Sequence, residues 1–275
     1  MTSRREIRTS RKLSGVSYSL RGPLAAQAES RRAAGQDVLA LNLGDPAAYG
    51  LPPAREVVRA VRDHLDDSCG YSGAAGLPEA RDAVARHYRG KGLHTVRQCD
   101  VYLGNGVSEL APLSLHALLN PRDEVLVPAP DYPMWTASIV MAGGQPVHYQ
   151  CDEASDWYPD PGDVARRVTD RTRAIVVINP NNPTGSVWPY EVLNGIADVA
   201  RTHGLVLLAD EIYADFLAEL PTAPIDWMTP NSPHKSANCR DVYWAPWSEW
   251  KIAPSRPPRV ASAMRRASVT SPVRM

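Results

Sequence analysis

The run Leu205-Val206-Leu207-Leu208-Ala209-Asp210-Glu211-Ile212-Tyr213 decides the fold. Its first five residues are apolar without alternation, which suits a strand covered on both faces. Asp210 then stands at the carboxyl end of that strand, the place where open parallel sheets bind ligands. A carboxylate there can hold a heterocyclic nitrogen protonated.

A second strand of the same kind is Ile175-Val176-Val177-Ile178, ended abruptly by Asn179-Pro180-Asn181-Asn182-Pro183-Thr184-Gly185. The prolines stop the strand and leave side-chain amides at its tip. Asn182 precedes Asp210 by 28 positions. An Asn-Pro cluster alone reads as a turn, and a strand-ending Asp alone reads as a helix cap. The two together, each closing a buried strand, point instead to a shared site.

The surrounding pattern is α/β. Arg55 to Leu65 and Pro78 to Arg89 read as helices, Val101 to Leu103 as a short strand, Ser108 to Leu119 as a helix and Glu124 to Val127 as a strand. Tyr132 to Met141 is again helical, Pro146 to Tyr149 a strand, Gly162 to Val168 a short helix and Tyr190 to His203 a longer one. Strands alternating with helices through right-handed crossovers make a mostly parallel sheet with helices on both faces.

Composition narrows the function. Thirty basic and thirty acidic residues give zero formal charge, so no general electrostatic reason exists to expect nucleic acid or an anionic membrane as partner. Cys69, Cys99, Cys151 and Cys239 are scattered without a metal-type pair, which argues against a zinc site or a disulfide framework. The segment from Met1 to Lys12 is basic, but no apolar stretch follows it as in an export signal. No run approaches the roughly 18 to 20 apolar residues needed to span a bilayer. A cytoplasmic protein is the expectation.

Several further segments carry a specific resemblance. They are Arg21-Gly22-Pro23-Leu24, Leu41-Asn42-Leu43-Gly44-Asp45-Pro46, Gly70-Tyr71-Ser72 with Gly76-Leu77, Gly104-Asn105-Gly106-Val107-Ser108-Glu109-Leu110 and Val127-Pro128-Ala129-Pro130-Asp131-Tyr132-Pro133-Met134-Trp135. Cys151-Asp152-Glu153-Ala154-Ser155-Asp156-Trp157-Tyr158-Pro159-Asp160 adds to them. With the two strand ends, the chain from about Ser14 to about Phe216 resembles the fold-type I, class I/II aminotransferases, and within them the bacterial alanine (glutamate-pyruvate) type.

That resemblance implies pyridoxal 5′-phosphate as cofactor and assigns residues to it. Gly106, Val107 and Ser108 open a helix, where free N–H groups and the dipole suit a phosphate dianion. Tyr132 would lie flat on the pyridine, Asn182 and Tyr213 would bond its phenolic oxygen, and Asp210 would pair with the ring nitrogen. Gly44 and Asn182 would meet substrate, Gly44 because only glycine allows so close a backbone approach. Tyr71 would reach the phosphate of the neighbouring subunit, which implies a homodimer. The substrates implied are an amino acid and a 2-oxo acid, alanine with 2-oxoglutarate giving pyruvate and glutamate. The implied organisation is an N-terminal arm and substrate loop over 1–50, a cofactor-binding large domain over 51–217 and a degenerate tail over 218–275.

Past Phe216 the character changes. Residues 218–275 hold one leucine, Leu220, with nine prolines and four of the seven tryptophans. From Lys251 onward six basic residues occur and no acidic one. Little aliphatic material is left for a core, and a disordered tail is the expectation. The family's Schiff-base lysine is expected some 30 to 35 residues beyond the Asp210 strand, near Arg240 to Pro246, as an amine that forms an imine with the cofactor. That window has no lysine, and Asp241 stands in the nearest matching run, Asn238 to Pro246. The catalytic lysine is therefore unassigned, and the sudden loss of pattern reads as a frameshift or a degraded gene.

Overall fold

A computed structural model describes residues 9–16, 23–39, 44, 47 and 50–214 of the 275. The expected tail over 218–275 lies outside the described residues. The chain divides into two compact units, residues 18–74 and residues 75 onward together with 1–17. In the first, α1 spans Pro23–Ala33 and α2 spans Arg55–Asp63.

The second unit holds α3 (Pro78–Gly90), α4 (Val107–Leu118), β1 (Glu124–Ala129), α5 (Met134–Met141) and β2 (Gln145–Asp152). It continues with β3 (Tyr158–Pro159), α6 (Pro161–Arg166), β4 (Thr172–Ile178), α7 (Tyr190–His203) and β5 (Val206–Asp210). The five strands form one sheet in the order β3-β2-β1-β4-β5, parallel except for the β2–β3 pair. β4 and β5 are in register from Ala174 opposite Val206 to Ile178 opposite Asp210.

Side-chain alternation along these strands feeds two separate cores. On one face Leu126, Tyr149, Ile175, Val177, Leu207 and Ala209 pack with residues of α3, α6 and α7. On the other Val125, Val127, Val176, Ile178 and Leu208 pack with α4 and α5. Every residue of β5 is buried, as an uninterrupted apolar run requires in a sheet covered twice. Each fully buried Leu or Ile contributes roughly 1.5–3 kcal/mol relative to exposure.

The expected strand over Val101 to Leu103 does not join the sheet. The Val101 carbonyl accepts from Arg81 Nε at 2.8 Å, and the Leu103 N–H donates to the Ala75 carbonyl at 3.0 Å. With its backbone groups satisfied there, the segment becomes a connector with Val101 buried in the first core. β2 runs longer than expected because Cys151 and Asp152 pair with Pro159 and Tyr158 of the short antiparallel β3.

The amino ends of the strands are tied by ion pairs, Glu124 with Arg171 at 3.1 Å and Asp123 with Arg173 at 3.3 Å. At the opposite, carboxyl edge the chain leaves β1, β4 and β5 into Pro130-Asp131-Tyr132, Asn179-Pro180-Asn181-Asn182 and Glu211-Ile212-Tyr213. Because α4 leads directly into β1, its amino end is directed to that same edge.

Candidate active site

The loop after β4 is built by its own asparagines. Asn179 Oδ1 accepts the Trp188 N–H at 2.8 Å, closing the loop onto the buried Trp188. Asn181 Oδ1 accepts the Thr184 hydroxyl at 2.8 Å and its N–H at 3.3 Å. The loop is thereby held without Asn182, whose Nδ2 donates across to the Tyr213 hydroxyl at 3.4 Å. The Asn179 N–H also donates to the Asp210 carbonyl at 3.0 Å, extending the β4–β5 ladder one step toward the site.

Asp210 is buried, with 4% of its surface exposed. Trp135 Nε1 donates to its Oδ2 at 3.0 Å, and the Ile212 N–H donates to Oδ1 at 3.3 Å. Burial pushes this carboxyl above the usual carboxylate range, against the lowering effect of those two donors. No cationic side chain pairs with it among the described residues.

At the start of α4, Gly106 has φ +76° and ψ 177°, a conformation nearly reserved for glycine. It turns the chain so that the first N–H groups of the helix have no intrahelical partner. A Cβ at Gly106 would meet nothing within 4 Å, so the space in front of that turn is open. Ser108 is exposed beside it.

Tyr132 is half-buried and packs on the second core next to Trp135. The Trp135 N–H donates to the Tyr132 carbonyl at 3.0 Å, so one turn carries both rings. A second cluster ties this turn to the sheet: Thr136 Oγ1 donates to Asp131 Oδ2 at 2.7 Å and lies 3.0 Å from His148 Nε2. Gly44 and Tyr71 belong to the other unit, where both are exposed.

Trp135 and the Asp131–Thr136–His148 cluster were not assigned from the sequence. A tryptophan has a single N–H to place when buried, and that is the signal from which a polar partner could have been sought. Which acceptor it would find depended on how α5 docks on the sheet.

The chain belongs to the family described as aminotransferase class I and II, whose model matches residues 36–233. It is 47% identical to the glutamate-pyruvate aminotransferase AlaA of Escherichia coli over 211 residues, 77% of this chain and 52% of that protein. It is 48% identical to an alanine aminotransferase of Mycobacterium tuberculosis over 214 residues, 78% of this chain and 50% of that protein. A crystal structure of an aminotransferase from Escherichia coli superposes with a TM-score of 0.72 at 47% identity, covering 76% of this chain and 52% of that one. The chain thus spans about half the length of these relatives.

Aminotransferases of this family use pyridoxal phosphate. The donor set fits such a group. A buried carboxylate with two neutral donors and no cationic partner among the described residues complements a protonated ring nitrogen. The Asn182–Tyr213 pair offers hydrogen bonds to a phenolate, and an open glycine turn at a helix start suits a phosphate.

Proposed function

We propose that the described residues are the cofactor-binding half of a pyridoxal-phosphate-dependent aminotransferase that exchanges the amino group of alanine with 2-oxoglutarate, giving pyruvate and glutamate. The reading places it in the cytoplasm as a homodimer. The observation that carries it is the buried Asp210 at the tip of β5, with no cationic partner among the described residues, beside the Asn182–Tyr213 pair.

When bound, pyridoxal phosphate supplies an electron sink for negative charge developing at the substrate Cα. The chain's residues make that possible in distinct ways. Asp210 would hold the proton on the ring nitrogen, because its buried carboxylate has no other counter-ion among the described residues. Asn182 and Tyr213 draw electron density at the phenolic oxygen. The α4 amino end and the Ser108 hydroxyl anchor the phosphate, and Tyr132 covers one face of the ring and excludes water from it. The family resemblance implies that Gly44 would meet substrate and that Tyr71 would reach the phosphate held by a second copy.

The proton on Cα must be moved by an amine. The chain has four lysines, Lys12, Lys91, Lys235 and Lys251. Lys12 is occupied at the surface, donating to the Met141 carbonyl at 3.0 Å. None falls in the window from Arg240 to Pro246, which keeps open a second reading, a non-catalytic protein that binds the cofactor without turnover or a truncated fragment lacking the lysine. Calorimetry with pyridoxal phosphate tests the site: binding weakened by Asp210→Ala and Ser108→Ala supports it, and no binding overturns it. A coupled pyruvate assay then separates the two readings. Turnover abolished by changing Lys235 or Lys251 would identify the amine, and tight binding without turnover would establish the second reading.

A further inference from the structure

We propose that Trp135 is a positioning residue of this site, its indole N–H holding the Asp210 carboxylate in the orientation that meets a protonated ring nitrogen. The inference rests on the pyridoxal-phosphate reading above and assigns a role to a side chain with no part in it.

Trp135 is fully buried on the first turn of α5 and lies 75 positions from Asp210 in sequence. Its Nε1 lies 3.0 Å from Oδ2, while the Ile212 N–H takes Oδ1. Each carboxylate oxygen thus has one donor and keeps a further lone pair, and the group cannot rotate about its Cβ–Cγ bond without breaking a bond on each side. The indole is fully buried in the same core as Val127, Ile139, Ile178 and Leu208, which restricts the donor in turn.

The chemical type of the donor matters as much as its place. An indole N–H is a donor only and does not titrate. It stabilises the carboxylate without neutralising it, so the negative charge stays available to the ligand. A lysine or arginine in its place would form a competing ion pair, and a histidine would change charge near neutral pH. The Trp135 backbone N–H donates to the Tyr132 carbonyl, so one turn carries both the ring that would cover the pyridine face and the ring that holds Asp210.

The test uses the full chain and pyridoxine 5′-phosphate, which has no aldehyde and whose ultraviolet band reports protonation of the ring nitrogen. At mildly alkaline pH, where the free probe has lost that proton, the wild-type chain is expected to keep it on. Trp135→Phe is expected to shift the bound spectrum toward the deprotonated form and to weaken binding roughly tenfold, the size seen when an outer partner of a charged ligand is removed. Replacing Trp135 with 3-benzothienylalanine removes only the N–H and keeps the shape, and is expected to give the same shift. This isostere decides the matter if the phenylalanine variant fails to fold. An unchanged spectrum and affinity in the isostere would overturn the proposal and leave Trp135 as core packing alone. Failure of the wild-type chain to bind the probe would overturn the cofactor reading and this proposal with it.

Discussion

Asn182 Nδ2 lies 3.4 Å from the Tyr213 hydroxyl, joining the loop after β4 to the turn after β5 across 31 positions of sequence. Asn179, Asn181 and Ser186 supply other hydrogen bonds that hold the loop, so this contact is not needed to keep it closed. A ligand could therefore replace this contact without opening the loop. Asn182→Ala and Tyr213→Phe are each expected to weaken pyridoxal-phosphate binding by roughly tenfold, with little change in melting temperature. Because both act on one oxygen, the double variant should lose less than the product of the two, as calorimetry would read.

Asp210 is expected to trade stability for binding. Burial raises its pKa in the folded protein, so the folded state holds the proton more tightly than the unfolded chain does. Stability from this group is then greatest in acid and falls as pH rises through the interval between the ordinary carboxylate value and the raised one. Asp210→Asn does not titrate. The ligand-free variant should be more stable than wild type at pH 8, by about 1 kcal/mol, a common size for relief at a functional site. The difference should shrink in acid, and the variant should bind pyridoxal phosphate poorly. Melting curves across pH check the sign, and equal stability at pH 8 would contradict it.

The glycine turn before α4 is expected to be needed for its conformation and not for its space. Gly106→Ala meets no atom within 4 Å, yet places a side chain at φ +76° and ψ 177°. A cost of about 1–3 kcal/mol is expected in denaturant titration, together with loss of affinity for inorganic phosphate and for the cofactor. Ser108→Ala, at an exposed position, should leave stability unchanged and weaken cofactor binding only a few-fold.

Binding and turnover are expected to separate in this chain. Loss of a positioned amine removes nucleophile and proton carrier together, and the proton transfer alone is worth about a hundred- to ten-thousand-fold. With no lysine between Arg240 and Pro246, the 275-residue chain should show negligible conversion of alanine and 2-oxoglutarate beside a full-length relative. Borohydride treatment with cofactor should leave no lysine-linked adduct by intact mass. An adduct on Lys235 or Lys251 would identify the amine and refute the expectation.

The misread segment and the unassigned residues have separate causes. Val101 to Leu103 has strand-like side chains, but Arg81, twenty positions away, takes the carbonyl that a ladder would have used. β3 is only two residues long, too short to leave a pattern of its own. Asp131 and Thr136 are five positions apart around the start of α5, but nothing local foretells that His148 of β2 comes within 3.0 Å of Thr136.

By itself the sequence determined which strands lie inside. The apolar runs Ala174 to Ile178 and Val206 to Ala209 admit no solvent face, and prolines after Ile178 stop the strand just before Asn182. Those are short-range consequences of residue type, legible wherever the run occurs. Tertiary structure alone decided that the indole of Trp135 meets Asp210 and that the amide of Asn182 meets Tyr213. Such meetings depend on strand register and on how α5 seats on the sheet. Both are set by the packing of two whole cores and not by the residues that finally touch.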